Sequence, residues 1–315
     1  MAQALAPART LSRFPFLNVA LFLATVATTL LAGAGQTALR EVHSVGSLVL
    51  AGLPFASALI GILFCHEMGH YLMARAYGVD SSLPFFIPMP MGQVGTFGAV
   101  IRIRSAIPTR TAVFDIGSAG PFAGFVVALP LLAWGIAHSE VRPMGDAWAA
   151  SPVGMGALEW VKARLLTGAW PEASGGQFFG DSLITWGMQR LILGKLAPGQ
   201  DVFLHPVAFA AWFGLFVTTL NLFPIGQLDG GHVTYALLGH RRARGLSRLV
   251  SLALFACGVL VSWTWLPWWA VTRFVVRFGH PPALVEEPLS PGRRALAILA
   301  LAVFAATFIP VPFSV

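Results

Sequence analysis

Two histidines and a glutamate lie within five residues of one another, in the stretch His66-Glu67-Met68-Gly69-His70. Residues four apart lie on one face of a helix, so the imidazoles of His66 and His70 point the same way. This is the spacing at which two histidines of one helix bind a zinc ion. Glu67 lies about 100° round the helix from His66, where it could take a proton from a zinc-bound water. The stretch therefore predicts hydrolytic chemistry with one zinc ion (Zn2+) per chain.

The residues before this motif are apolar, and Leu48 to Cys65 contains no charged residue. A chance occurrence of the same pattern is expected on a solvated helix. Ionisable groups in or near hydrocarbon are costly and usually have a function. The context therefore favours a functional site over a chance match.

The composition of the chain is that of a membrane protein. Of its 315 residues, 56% are hydrophobic and only 10% are charged, whereas a soluble domain carries about 25% charged residues. The net charge of +7 fits loops beside an anionic lipid leaflet. We therefore expect the lipid bilayer as a partner and no nucleic acid.

The two cysteines, Cys65 and Cys257, lie in apolar stretches and imply neither a disulfide framework nor a cysteine zinc site. Cys65 adjoins His66, so a ligand role is conceivable, but a small buried hydrophobic residue is the simpler interpretation. Near the N-terminus, Arg9 and Arg13 precede an apolar run without a convincing small-residue cleavage site. A retained membrane span is therefore expected there, and not a signal peptide.

Apolar stretches of roughly the 20 residues that cross a bilayer divide the chain. They predict an all-α polytopic membrane protein with about six transmembrane helices, at roughly 14–34, 48–78, 112–137, 206–224, 249–271 and 294–309. The region 138–205 has a soluble composition, and within it 182–197 is too short to span and suits an interfacial helix. An Arg-rich turn is predicted at 241–248, and no internal repeat is evident.

The stretch 80–109 is dense in Pro and Gly, and we interpret it as a small membrane-associated β-hairpin or a re-entrant loop. Ile101 and Ile103 alternate with Arg102 and Arg104, which is a strand signature. An edge strand here could pair with an extended substrate. A plain surface hairpin is the alternative interpretation.

The third predicted span contains Gly117, Gly120 and Gly124. Small residues at this spacing allow helices to approach closely. Structural packing is therefore the interpretation that we give these glycines.

The distribution of Lys and Arg predicts that the N-terminus and the even-numbered links between spans face the cytoplasm. Ten of the 20 Lys and Arg residues lie in these short segments. This orientation places Arg102 and Arg241 on the cytoplasmic side and Glu172 on the other side. Four arginines near the last two spans count against it: Arg273, Arg277, Arg293 and Arg294.

A catalytic zinc site needs a third protein ligand. Asp115 lies at the edge of the third span after Arg110, with which it could simply pair. Asp229 lies in a segment broken by Pro and Gly, and such backbone is tolerated in a membrane only where it is buried or lines a cavity. The predicted topology brings Asp229 and the two histidines to the same depth. His232 is a competing ligand, and Asp229 is the better placed of the two.

Two separated motifs also give the chain a family resemblance. The HEMGH motif, a Gly-Pro span, and Asn221-Leu222-Phe223-Pro224 leading to Leu228-Asp229-Gly230-Gly231 together resemble the site-2 protease family of intramembrane zinc metalloproteases, peptidase family M50. The resemblance covers roughly 51–240 and implies a three-helix catalytic core. It also implies zinc held by His66, His70 and Asp229, Glu67 as general base, Asn221 near the reacting carbonyl, and a substrate-engaging hairpin matching 92–104. No PDZ-like peptide-binding insert is visible, since 143–205 is too short and irregular.

We therefore expect three parts: 1–46 with the first span, 47–240 as the catalytic core, and 241–315 with the C-terminal spans. The expected protein is a multi-pass metalloendopeptidase that cleaves a transmembrane or membrane-proximal segment of a membrane protein, as in regulated intramembrane proteolysis. Its expected location is the plasma membrane, with the active site towards the cytoplasm. The sequence implies no particular oligomeric state.

Two alternatives stay open. A membrane protein that binds or transports metal without proteolysis could use the same His and Asp residues, although a carrier has no need of Glu67 as a base. An inactive binding relative is the other. Asn221 could donate a hydrogen bond to the developing oxyanion, or it could only cap the break in its helix.

Overall fold

The computed structural model describes residues 15–36, 44–143, 156–168, 178–276 and 283–314. Several positions used in the sequence analysis lie outside the described residues: Arg9, Arg13, Glu172 and Arg277.

Helices form the frame of the described chain. They are α1 (Phe16–Gln36), α2 (Val45–Ala76), α3 (Arg110–Ala137), α4 (Ala157–Thr167), α5 (Leu183–Leu193), α6 (Pro206–Leu222), α7 (Asp229–Leu238), α8 (His240–Leu260), α9 (Trp265–Ala270), a π-helix (Val271–Val276) and α10 (Pro291–Thr307). Six short strands form three antiparallel pairs: β1 (Phe85–Pro88) with β2 (Thr96–Val100), β3 (Glu140–Pro143) with β5 (Gln200–Phe203), and β4 (Phe178–Phe179) with β6 (Phe313–Ser314).

Four of the described helices, α1, α2, α3 and α8, are long and apolar enough to cross a membrane. Helix α6 is apolar but has 17 residues, and α10 also has 17 residues. The expected all-α membrane fold with a small β-hairpin is confirmed, whereas four of the described helices, and not about six, are long and apolar enough to span.

The two long helices that build the site have clear starting signals. Ser44 and Ser47 form a reciprocal capping box at the start of α2, which satisfies backbone N–H groups that have no partner in the first turn. The Thr109 side chain accepts a hydrogen bond from the amide of Ala112 at the start of α3. Both helices begin within three residues of their predicted positions, since the apolar runs and the caps agree.

Helix α3 packs between α2 and α6 through small residues. A Cβ atom at Gly135 would lie 2.4 Å from the backbone nitrogen of Ala208 on α6, and one at Gly69 on α2 would lie 2.5 Å from the carbonyl oxygen of Ala119. Backbones this close are held by van der Waals contact, which is the main attraction between helices in lipid. The three helices are therefore closely packed against one another.

The predicted hairpin is confirmed, and it lies along α1. The Asn18 side-chain amide donates to the carbonyl oxygens of Leu83 and Pro84 at 3.0 and 2.9 Å. Nearer the tip, the Thr28 hydroxyl donates to the carbonyl oxygen of Gly95 at 2.6 Å. One edge of the hairpin is therefore covered by α1.

The strand in the second half of the hairpin lies earlier than the alternation predicted. β2 ends at Val100, before the Ile-Arg alternation of 101–104. That segment still runs antiparallel to 80–82, because the Ser82 amide donates to the Arg102 carbonyl at 2.9 Å and the Arg104 amide to the Asp80 carbonyl at 2.8 Å. A register shift in the β1–β2 pair interrupts the regular ladder.

The region 138–205 contains α4, α5 and the β3–β5 pair. The predicted interfacial helix 182–197 is the shorter α5. It begins with a capping box between Ser182 and Thr185 and ends at Gly194, whose φ is +76°. A residue with positive φ cannot continue the helix, and glycine adopts this conformation without strain.

Two predictions about the C-terminal part are wrong. The Arg-rich turn is the beginning of α8, so this helix starts nine residues before the predicted span 249–271 and ends at Leu260. The boundary before it is Gly239, with φ +77°. After α8 the chain folds back closely over Gly258, where a Cβ atom would lie 2.5 Å from Leu266. The apolar run 249–271 is thus not one helix, because the chain reverses direction within it. Hydropathy alone does not predict this turn.

Candidate metal centre

Helix α2 presents the two motif histidines to the interior, and both residues are buried, with His66 3% and His70 7% exposed. Their Nε2 atoms lie 3.2 Å apart. Two imidazoles at this separation on one helix face form one half of a metal-binding pocket.

Asp229 completes the group from the first residue of α7. Its Oδ2 atom lies 3.3 Å from His66 Nε2 and 3.3 Å from His70 Nε2. In a tetrahedral zinc site with bonds of about 2.0–2.1 Å, neighbouring ligand atoms lie about 3.3 Å apart. Among the described residues these are the three that gather as possible metal donors, and their spacing fits zinc.

Asp229 reaches the histidines because α6 and α7 are joined by a tightly folded break. The amide of Ile225 donates to the carbonyl of Phe223 at 2.7 Å, so the chain turns within three residues. The next helix starts so close to α6 that a Cβ atom at Gly230 would lie 1.9 Å from the carbonyl oxygen of Leu222. The Gly-Gly pair after Asp229 is therefore a steric requirement for bringing the carboxylate to this depth.

A backbone carbonyl orients His70. The Nδ1 atom of His70 lies 2.7 Å from the carbonyl oxygen of Ile116 on α3. A proton on Nδ1 that is donated to this carbonyl leaves Nε2 free to bind a metal. No sequence pattern pointed to Ile116, because any residue can supply a backbone carbonyl.

The glycines of α3 make room for the histidine rings. A Cβ atom at Gly120 would lie 2.1 Å from His70 Nε2, and one at Gly124 would lie 3.2 Å from the His66 ring. Close helix packing was the expected role of these glycines. The structure adds that the backbone approaches the ligand side chains themselves.

We expect that Gly120→Ala will weaken zinc binding by at least about tenfold, the scale on which disturbed ligand support lowers metal affinity. The added methyl group must displace His70 Nε2 or push α3 away from α2. Zinc affinity of the purified protein, measured by competition with a chromophoric chelator, tests this. Gly61→Ala on α2 is the matched control, because its Cβ atom would meet nothing within 4 Å. Wild-type affinity in Gly120→Ala would mean that the site adapts freely.

Glu67 is buried, with 5% exposure, and is not one of the three gathered donors. Together with His66, His70 and Asp229 it lines a cavity of about 220 Å³. A carboxylate beside the donors, and outside their set, is placed for proton transfer.

Asn221, the second-last residue of α6, also lines this cavity. Its side-chain nitrogen lies 3.2 Å from His66 Nε2. The amide therefore reaches the space beside the donors and can donate a hydrogen bond there.

The hairpin forms another wall of the same cavity, through four residues: Ala99, Val100, Ile101 and Ile103. The end of β2 and the residues just after it thus border the cavity that Glu67 and the donors also line. This places a strand edge where an extended peptide could lie next to them.

Three other candidates do not join the donor group. Asp115 pairs with Arg293, through hydrogen bonds of 2.8–3.0 Å, and not with Arg110 as the sequence suggested. His232 lines the cavity but lies against Gly117 and outside the donor set. Cys65 is also outside the set, although it adjoins His66. A larger cavity of about 530 Å³ between α1, the hairpin tip and α6 contains none of the three donors.

Comparisons with known proteins return relatives that include several probable zinc metalloproteases. The model of the family described as Peptidase family M50 matches residues 54–264. The chain is 31% identical over 266 residues to "Probable zinc metalloprotease EGY2, chloroplastic" of Arabidopsis thaliana, an alignment that covers 84% of this chain and 42% of that protein. It is 31% identical over 264 residues to "Probable zinc metalloprotease EGY1, chloroplastic" of Oryza sativa subsp. japonica, covering 83% and 41%. With the EGY1 protein of Arabidopsis thaliana the identity is 32% over 265 residues, covering 83% and 43%.

This chain thus spans less than half the length of these relatives. Their names place them in the chloroplast, which gives no support to the plasma-membrane location expected for this chain. The four long apolar helices support the coarser expectation of a membrane protein.

Proposed function

Because the chain belongs to peptidase family M50, we propose that it is an integral-membrane zinc metalloendopeptidase that cleaves a transmembrane or membrane-proximal segment of another membrane protein. The observation that carries the proposal is the convergence of two histidine nitrogens and one Asp229 oxygen at 3.2–3.3 Å from one another. Glu67 lines the same cavity without joining that set.

The residues present fit a zinc ion. His66, His70 and Asp229 supply two imidazole nitrogens and a carboxylate oxygen, which are common zinc ligands, and leave a position open as catalytic sites do. A zinc ion held there supplies activation of a water molecule and polarisation of the substrate carbonyl. Ile116 holds His70 in the orientation that this requires.

The remaining steps fall to side chains of this chain. Glu67 takes the proton of the attacking water and then passes it to the amine that leaves. Asn221 directs its amide into the same space, where it donates a hydrogen bond to the negative charge that develops on the carbonyl oxygen. The burial of Glu67 keeps bulk water from competing for these contacts.

The size of the cavity supports an extended substrate. A helix with its side chains is about 10–12 Å across, which is too wide for a cavity of about 220 Å³. Helical carbonyls are also already hydrogen-bonded. The substrate segment therefore unwinds locally and lies along the edge of β2. There its backbone N–H and C=O groups can form hydrogen bonds with those of the strand.

The test of this function is cleavage of a single-span protein in liposomes that contain the purified chain. We expect fragments whose formation stops when a chelator removes zinc, falling by at least about 10²-fold, and resumes when zinc is added back. Magnesium should not replace zinc, because a site with two histidines suits zinc better. A metal carrier predicts uptake of labelled zinc into the liposomes without fragments, and that result would reject the protease.

For the orientation, we propose that the membrane face at the start of α8 is the cytoplasmic one, as the Arg-rich segments indicate. Arg241 lies at this end. Lys162 on α4 belongs to the opposite end, since a Cβ atom at Gly156, next to α4, would lie 2.3 Å from the carbonyl oxygen of Val259 near the end of α8.

Single cysteines at 162 and 241, in a chain with both native cysteines changed to alanine, test this orientation with a membrane-impermeant maleimide. We expect that position 162 will react in intact cells and that position 241 will react only after the membrane is opened. The reverse pattern would invert the topology. Both side chains lie in exposed positions, and reaction of each position after the membrane is opened is the control for access.

A further inference from the structure

The segment 283–293, which we call the C-terminal clamp, lies outside the residues that match the family. It contacts the start of α3 and the second half of α7. Its Leu284 and Val285 amides donate to the carbonyls of Ile107 and Pro108, and the Arg110 amide donates to Val285 in return, at 3.1–3.4 Å. A parallel bridge joins Thr109 to Val285. The clamp is thus attached directly to the start of α3.

The clamp holds the helix of the third metal donor. Tyr235 on α7 is fully buried, and its hydroxyl donates to the Glu286 carboxylate and accepts from the Ala283 amide. Arg110, beside the clamp, donates from Nε to the carbonyl of Ala236 at 2.7 Å. Helix α7 has only ten residues, so contacts at residues 235 and 236 restrain the whole helix that begins with Asp229.

The clamp also holds the region that orients His70. Arg293 pairs with both carboxylate oxygens of Asp115, and the Tyr77 hydroxyl donates to the same carboxylate. Asp115 directly precedes Ile116, whose carbonyl accepts from His70. Tyr77 caps the end of α2. One arginine therefore ties α10 to the two helices between which the His70 ring is held.

We propose that the C-terminal clamp positions the metal centre, with Arg293 and Glu286 as positioning residues. Arg293 fixes the Ile116 carbonyl through Asp115, and Glu286 fixes Asp229 through Tyr235. Two of the three donors are therefore held by a segment that the family match does not include. This inference rests on the proposed zinc site, and it concerns binding of the metal rather than cleavage.

The experiment measures zinc affinity of the full chain in detergent for Arg293→Gln and Tyr235→Phe, together with the visible absorption spectrum of the cobalt-substituted protein. Outer-shell partners of metal ligands typically contribute 10- to 100-fold in affinity. We expect a loss of about tenfold in each variant and an altered cobalt spectrum, which reports ligand geometry. Glu287→Gln is the matched control, because Glu287 is an exposed neighbour of Glu286 that takes no part in the contacts described above.

Exchange of the charges, Asp115→Arg with Arg293→Asp, should restore most of the affinity lost in Arg293→Gln. Tyr235→Phe removes one hydroxyl and keeps the buried ring, so it remains informative if Arg293→Gln does not fold. Wild-type affinity and cobalt spectrum in both single variants would overturn the proposal and leave the clamp a purely structural element. Cleavage is not the readout, so failure of the proposed protease function would be seen separately.

Discussion

Glu67→Gln should leave zinc content near that of the wild type while cleavage falls by a factor on the order of 10² or more. The amide keeps the size and the hydrogen bonding of the carboxyl but cannot accept the proton of the attacking water. The three donors do not include Glu67, so the metal should remain bound. This pattern separates a base from a ligand, because loss of a ligand would lower both quantities together.

The measurement is cleavage of a reconstituted single-span substrate, with zinc quantified on the same samples. Glu67→Asp is a useful second variant, since it keeps a base but withdraws it by one methylene group. It should retain more activity than Glu67→Gln. Cleavage at the wild-type rate by a zinc-loaded Glu67→Gln protein would refute the assigned role, and with it the mechanism proposed above.

Asp229→Ala should lower zinc affinity by more than about 10²-fold, because loss of a direct ligand exceeds the 10- to 100-fold cost of losing an outer partner. The same substitution leaves the two histidines facing each other at 3.2 Å without the carboxylate, which makes binding of a cation there less favourable. Cleavage should fall with zinc occupancy. Asp229→Asn keeps the shape and isolates the contribution of the charge.

His232→Ala is the matched control for this prediction. His232 lies three residues further along α7 and lines the same cavity, but it stands outside the donor set. Elemental analysis and chelator competition should therefore give near-normal zinc in His232→Ala. Full zinc retention in Asp229→Ala, or its loss in His232→Ala, would exchange the assignments of the two residues.

The local part of the site could be predicted because it depends on helical spacing alone. His66, Glu67 and His70 need only a helix to share one pocket, and the apolar run from Leu48 ensures that helix. Asp229 could be proposed because broken backbone at membrane depth must line a cavity. The distance of 3.3 Å between Asp229 and the histidines depends on how α3 packs. The spacing of residues along the chain does not predict that packing.

The parts that escaped prediction involve backbone groups and distant partners. The Ile116 carbonyl has no side-chain signature. On sequence grounds Asp115 could be a ligand or pair with Arg110, whereas its partner is Arg293, which α10 brings to α3 from a distant part of the chain. Likewise the end of α8 depends on how the chain folds back over Gly258. Average hydropathy does not predict such a tertiary contact.

The cover that α1 places over one side of the hairpin has a consequence for selectivity. With β1 packed beside α1, the face of the hairpin towards the metal centre offers β2 and the residues after it for pairing. A substrate strand would be bound there through hydrogen bonds to its main chain, and the main chain is the same in every sequence. The peptide bond that is cut would then be chosen by how readily a segment gives up its helix, more than by the side chains it carries. Helix-breaking residues in a substrate would then determine where it is cut. In proteases with deep side-chain pockets, a consensus sequence determines this.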